Sequence, residues 1–97
     1  MAVEQLLPIG VGEASSSEFV VGQQDHHTLC LNDDEGPGVA RDARVRIELK
    51  DLSGRFFEVG FLFTDASGGK PVLVVSGPGT YRVTRLGIVP CGVFRTT

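Results

Sequence analysis

The residues with most scope for chemistry lie in the first third of the chain. Asp25, His26 and His27 set a carboxylate beside two imidazoles, the commonest side chains at transition-metal sites. Adjacent side chains on an extended backbone point to opposite faces, so these histidines do not converge on one ion. The remaining soft donors are Cys30 and Cys91, with no Cys-x-x-Cys spacing between them. No metal and no cofactor is therefore expected. Asn32, Asp33, Asp34 and Glu35 offer oxygen ligands, but they lack the alternating acids, the central glycine and the distant glutamate of a calcium loop. They read as a solvated acidic loop. The stretch from Ser67 to Pro71 superficially matches the end of a phosphate-binding loop, yet Thr64 stands where that pattern needs glycine and Pro71 where it needs Ser or Thr. No Gly-x-Ser-x-Gly turn occurs, and no spacing pairs a serine with a histidine base. The expectation is a protein that is not an enzyme.

Charge narrows the partners. The 97 residues carry a net charge of −3, distributed unevenly. Residues 1–40 hold seven acids and no Lys or Arg, whereas residues 41–97 hold five acids and nine bases. Such asymmetry either pairs up within the fold or steers one subunit's acidic end onto a neighbour's basic face. Arg44, Arg46 and Lys50 share one strand face, but Glu48 interrupts the row and the chain is acidic, so nucleic acid is not an expected partner. No apolar run approaches about 20 residues, which argues against a membrane-spanning helix. The start, MAVEQLLPIGVGEA, lacks the basic segment and long apolar stretch of a secretion signal, so synthesis in a cytoplasm is expected. In that compartment Cys30 and Cys91 are expected as small buried thiols rather than a disulfide.

These side chains must be carried by short strands, because Gly 13 and Pro 5 in 97 residues leave little uninterrupted chain. ARVRIELK (43–50) alternates throughout, with Ala43, Val45, Ile47 and Leu49 on one side and charged residues on the other, as a half-buried antiparallel strand requires. DLSG (51–54) supplies a turn, and RFFEVGFLF (55–63) returns with Phe57, Val59, Phe61 and Phe63 on one face. Phe56 and Leu62 fall on the opposite face, so that strand is expected to be covered on both sides. SEFVVG (17–22), HTLCLN (27–32), VLVV (72–75), TYRVT (80–84) and CGVFR (91–95) read as further strands. Gly77, Pro78 and Gly79 make a tight reversal, after which Thr80, Arg82 and Thr84 face one way and Tyr81 and Val83 the other. About seven short strands and no helical periodicity predict an all-β, antiparallel two-sheet β-sandwich or jelly roll, with a small closed barrel as the alternative.

Residues 1–14 stand apart from a single domain over 15–97. Val3, Leu6, Leu7, Ile9 and Val11 are apolar, while Pro8 and the glycines break both helix and central strand. The segment is either an edge strand on its own sheet or an extended arm that adds to the open edge of a neighbouring molecule. Apolar side chains in excess of one thin sandwich mark an expected interface: Val3, Leu6, Leu7, Ile9, Phe56, Leu62 and Phe94. They predict a homo-oligomer or attachment to another protein.

The order SSSEFVV, ARVRIELKDLSGRFFEVG, PVLVVSGPGTYRVTR and CGVFR, over residues 15–95, resembles small β-sandwich structural proteins of tailed-bacteriophage virions. The resemblance implies a capsid decoration or cement protein, bound to the major capsid protein or other virion proteins, located in the virion and in the host cytoplasm during assembly. A tail or fibre adaptor and a carbohydrate-binding sandwich are the alternatives. Sugar sites use aromatic platforms, and a chain with no Trp and one Tyr is poorly supplied with them.

Overall fold

The computed structural model describes residues 3–33, 36–37, 42–65, 68–86 and 89–97. Eleven strands among them form two antiparallel sheets. The first sheet runs β1 (Val3–Gly10), β11 (Cys91–Thr96), β4 (His27–Asp33), with β5 (Gly36–Pro37) and β9 (Val72–Val75) both on the far side of β4. The second runs β10 (Gly79–Leu86), β6 (Arg44–Lys50), β7 (Phe56–Asp65), β8 (Gly68–Lys70), with β2 (Ala14–Ser15) and β3 (Phe19–Val21) pairing β10. The expected two-sheet, all-β architecture is the one observed, and seven of the strands have four or more residues. The chain crosses between sheets after β1, β3, β5, β8, β9 and β10, so every crossing ties the layers together. No helix among the described residues is long and apolar enough to cross a membrane.

The core lies between the sheets and follows the alternation of the strands. Leu29 and Leu31 of β4 and Cys91 and Val93 of β11 face Val45 and Ile47 of β6 and Tyr81 and Val83 of β10. Cys30 and Cys91 are both buried. The β6–β7 turn is fixed by Asp51, whose Oδ1 accepts hydrogen bonds from Ser53 N (2.8 Å), Ser53 Oγ (2.7 Å) and Arg55 N (3.0 Å). Those donors hold its carboxyl below the usual range. Gly54 in this turn has φ +87°, a conformation that favours glycine.

Strand β7 departs from simple alternation. Its pairing with β6 shifts register between Ile47 and Glu48, where Gly60 and Glu58 are successive partners and Val59 is the extra residue. This bulge reverses the parity of the strand. Leu62, paired with Val45, is fully buried in the core. Phe61 and Phe63 instead pair with Arg46 and Arg44 on the outward face, while Phe57 and Val59 remain 48% and 49% exposed. The face expected from Phe57, Val59, Phe61 and Phe63 is therefore not the core face, and Leu62 is no interface residue.

Of the two readings of the N-terminal segment, the edge strand is the one observed and the arm is not: Val3 to Gly10 pairs along β11 of its own sheet from Val3↔Thr96 to Gly10↔Cys91. Leu7 is 2% exposed and belongs to the core, which is why the segment stays with its own molecule. Residues 1–2 lie outside the described residues, as do Asp34, Glu35 and residues 38–41 of the expected acidic loop.

Candidate docking faces

The outward side of the second sheet combines cations with phenylalanines. Cross-strand partners share a face. The register therefore aligns Leu86, Arg44, Phe63 and Lys70 in one row, and Ser15, Thr84, Arg46 and Phe61 in the next. Arg82, Glu48 and Glu58 form a third row, and Lys50 stands opposite Phe56. The Arg82 guanidinium lies 4.0 Å from the Phe56 ring centroid and the Arg44 guanidinium 5.6 Å from that of Phe61. Both arrangements are cation–π contacts. Lys50 Nζ approaches the Phe56 ring at 5.9 Å and pairs with Glu18 at 3.2 Å.

Glu48 organises this face. Its Oε1 accepts hydrogen bonds from Thr84 Oγ1 and from Arg82 Nε (2.9 Å), and its Oε2 lies 3.3 Å from Arg46 Nε. The Arg46 contact is an ion pair without hydrogen-bond alignment. Ser15 Oγ, 2.8 Å from Thr84 Oγ1, is the donor in that pair, because the Thr84 proton is given to Glu48. Burial alone would raise the Glu48 pKa, but the hydrogen bonds from Thr84 and Arg82 and the charges of Arg82 and Arg46 hold it below its ordinary value. The carboxylate thus stays ionised and is shared by two arginines of neighbouring strands.

The outward side of the first sheet is different in kind. Val3, Thr96, Thr28 and Val74 form one row across four strands, and Gln5, Phe94, Cys30 and Val72 form the next. Neither row holds a charged residue. Val3, Val72 and Val74 are 67%, 46% and 56% exposed.

Two further clusters close the ends of the sandwich. At one, Phe19 stacks on His27 and Tyr81 with centroids 6.1 and 6.0 Å away, and Arg95 lies 5.1 Å over Phe19. Arg95 donates to His27 Nδ1 (3.3 Å) and pairs with Glu4 Oε1 at 2.7 Å. A guanidinium only donates, so His27 is neutral here, with Nδ1 as acceptor. Burial, then the Arg95 charge, push its pKa below the ordinary value, with Asp25 opposing. Beside this cluster opens a cleft of about 340 Å³ bordered by Glu4, Ser17, Glu18 and Arg95.

At the other end Arg85, 6% exposed, points inward from β10 and donates to four carbonyls. Nε reaches Gly12 O (2.8 Å), Nη1 reaches Pro8 O (2.9 Å) and Cys91 O (2.9 Å), and Nη2 reaches Val11 O (3.3 Å). It fastens the end of β1 and the crossing to β2 onto the rest of the fold.

The expected interface residues are thus divided. Phe56 belongs to the cation–phenylalanine face, and Val3 and Phe94 to the uncharged face. Ile9 is 38% exposed on β1, Leu6 is partly buried against the core, and Leu7 and Leu62 are inside it. Phe61, Arg82 and Arg85 are site residues that the sequence pattern does not single out, and only the cross-strand register brings Arg44, Phe61 and Arg82 to one face. His26 is exposed whereas His27 is buried, so the two imidazoles face different surroundings.

No protein-family model matches this chain, and no curated protein matches it. Among solved structures, the SPBc2 prophage-derived protein YomS superposes with a TM-score of 0.63 at 11% identity, over 97% of this chain and 88% of that one. What the two have in common is the fold. A chain from a Bacillus endospore appendage, one of a family of disulfide-linked pili, gives a TM-score of 0.36 at 8% identity over 91% and 85% of the two chains, too low to carry an argument.

Proposed function

We propose that the protein is a non-enzymatic structural component of a tailed-phage particle, of the capsid decoration type, that docks on the head lattice through the outward face of its second sheet. One observation carries this reading: Phe56, Phe61 and Phe63 stand among Arg44, Arg46, Lys50, Lys70 and Arg82 on a face that an isolated sandwich would keep polar. Arginine and aromatic side chains are enriched where proteins meet, because each joins a large contact area to a fixed hydrogen-bonding or π geometry. Five cations against Glu48 and Glu58 suit an acidic partner surface. The prophage origin of YomS, which has the same fold, is in keeping with this assignment.

The test is cosedimentation of the purified protein with phage heads that lack it. Binding should saturate at a copy number set by the lattice, as read from gel band intensity, and Phe61→Ser with Arg44→Glu should abolish it. Saturation at the few copies of one symmetry ring would reassign the protein to a tail or fibre adaptor. Absence of binding to any particle would overturn the reading.

A further inference from the structure

We propose that the outward face of the first sheet, built on β1, β11, β4 and β9, is a self-association surface occupied by the same face of a second copy of this chain. The inference does not depend on the phage assignment. Its basis is the pair of rows Val3–Thr96–Thr28–Val74 and Gln5–Phe94–Cys30–Val72, which run across four hydrogen-bonded strands without a charged side chain. The outward rows of the second sheet, by contrast, hold Arg44, Arg46, Glu48, Glu58, Lys70 and Arg82.

Self-pairing follows from symmetry and charge. In a two-fold interface the same patch meets itself, so any net charge on it meets a like charge. The second sheet's face, with Arg44, Arg46, Lys50, Lys70 and Arg82, would repel its own copy. The first sheet's face carries no such penalty. Its valines, threonines and phenylalanine are side chains that pack sheet against sheet, as the molecule's own two layers already do. The centre of the patch is Phe94, paired with Cys30, whose thiol is almost covered and whose pKa is pushed up by that burial.

Size sets the strength. Four strands about 4.8 Å apart, three of them six to eight residues long and β9 of four, make a patch roughly 20 Å on each side that narrows toward β9. Two such patches bury an area at the low end of specific interfaces, so the dimer is weak and concentration-dependent in solution. Tethering of many copies side by side on a larger assembly would strengthen it through effective concentration.

Analytical ultracentrifugation of the full chain, from micromolar to submillimolar concentration, tests the proposal. The wild type should pass from monomer to dimer. Phe94→Lys and Phe94→Glu, placed near the two-fold axis, should each weaken self-association by about a hundredfold or more while their equimolar mixture regains it. Should the Phe94 variants fail to fold, Val74→Lys, at an exposed site on the edge strand, replaces them and should show the same loss. A wild type that stays monomeric throughout would overturn the proposal. So would a dimer indifferent to these charges but lost with Phe61→Ser, since it would then form through the second sheet. Failure of the particle-binding experiment alone would leave this outcome unaffected.

Discussion

At the scale of single residues, buried polar groups do work that alternation of hydrophobic and polar types does not reveal. Arg85 follows Tyr81 and Val83 on the inward face of β10, a place where sequence patterning calls for an apolar side chain. It is tolerated because its guanidinium donates to the Pro8, Val11, Gly12 and Cys91 carbonyls, which compensates its burial at the crossing from β1 to β2. Arg85→Met should therefore lower stability by about 2–4 kcal/mol in urea unfolding, and Arg85→Lys should recover only part of it, since an ammonium cannot span four acceptors. His27 gives a second prediction. Its folded pKa lies below its ordinary 6.5, so the unfolded chain binds the proton more readily. Its contribution is complete above pH 6.5 and is lost as pH falls through the lower folded value. Stability should decline on acidification below about pH 6.5, with a further decline below about pH 4.5 as Glu48, also depressed, is protonated. In His27→Gln, unfolding midpoints measured across this range should lose the first decline and keep the second.

At the scale of elements, what was legible was whatever local alternation governs. Strand β6 lies where Ala43, Val45 and Ile47 put it, and the SGPG reversal ends at Gly79, where β10 begins, with Tyr81 Oη donating to Gly77 O at 2.7 Å. Strand β7 departs from its sequence pattern for a definable reason. One bulged residue exchanges its faces, and nothing in RFFEVGFLF marks Val59 rather than a neighbour as the insertion, because a bulge shows only in the register with the partner strand. The status of β1 was also set by distant residues. Gly92 of β11 admits it: a Cβ there would lie 2.6 Å from Leu7 O and 2.9 Å from Ile9 N, both backbone. Gln5 Nε2 then spans the irregular register, donating to Leu7 O (2.8 Å) and Val93 O (3.2 Å). Gly92→Ala should thus lift β1 from the sheet, seen as loss of hydrogen-exchange protection at Val3–Gly10 before the rest of the molecule. Deleting residues 1–12 should destabilise the whole fold, since Leu7 alone, when truncated to alanine in a core, is worth about 2–4 kcal/mol. A deletion variant that unfolds at the wild-type urea concentration would show that β1 is only appended.

At the scale of the whole molecule, the fold sorts its surfaces by chemistry. The acidic first 40 residues and the basic remainder are not separated along the folded structure as they are in sequence, because β10, β6 and β7 bring Arg44, Arg46, Lys50 and Arg82 to one side while the rows built on β1, β11, β4 and β9 remain uncharged. A sandwich with one cationic, phenylalanine-rich face and one neutral, Val- and Thr-rich face can engage two different surfaces at once. The two engagements respond to salt in opposite directions. Attraction between exposed charges is screened over about 8–10 Å at physiological ionic strength, so docking through the second sheet should weaken as sodium chloride rises. Burial of an uncharged face has no such attraction to lose, and sulfate, excluded from protein surfaces, strengthens it. Particle binding and dimerisation measured on one preparation should therefore diverge: sodium chloride releases the protein from particles with its monomer–dimer equilibrium little changed, while ammonium sulfate shifts that equilibrium toward the dimer. Parallel loss of both in sodium chloride would mean that the charged face mediates both contacts, and the division of labour between the sheets would fall.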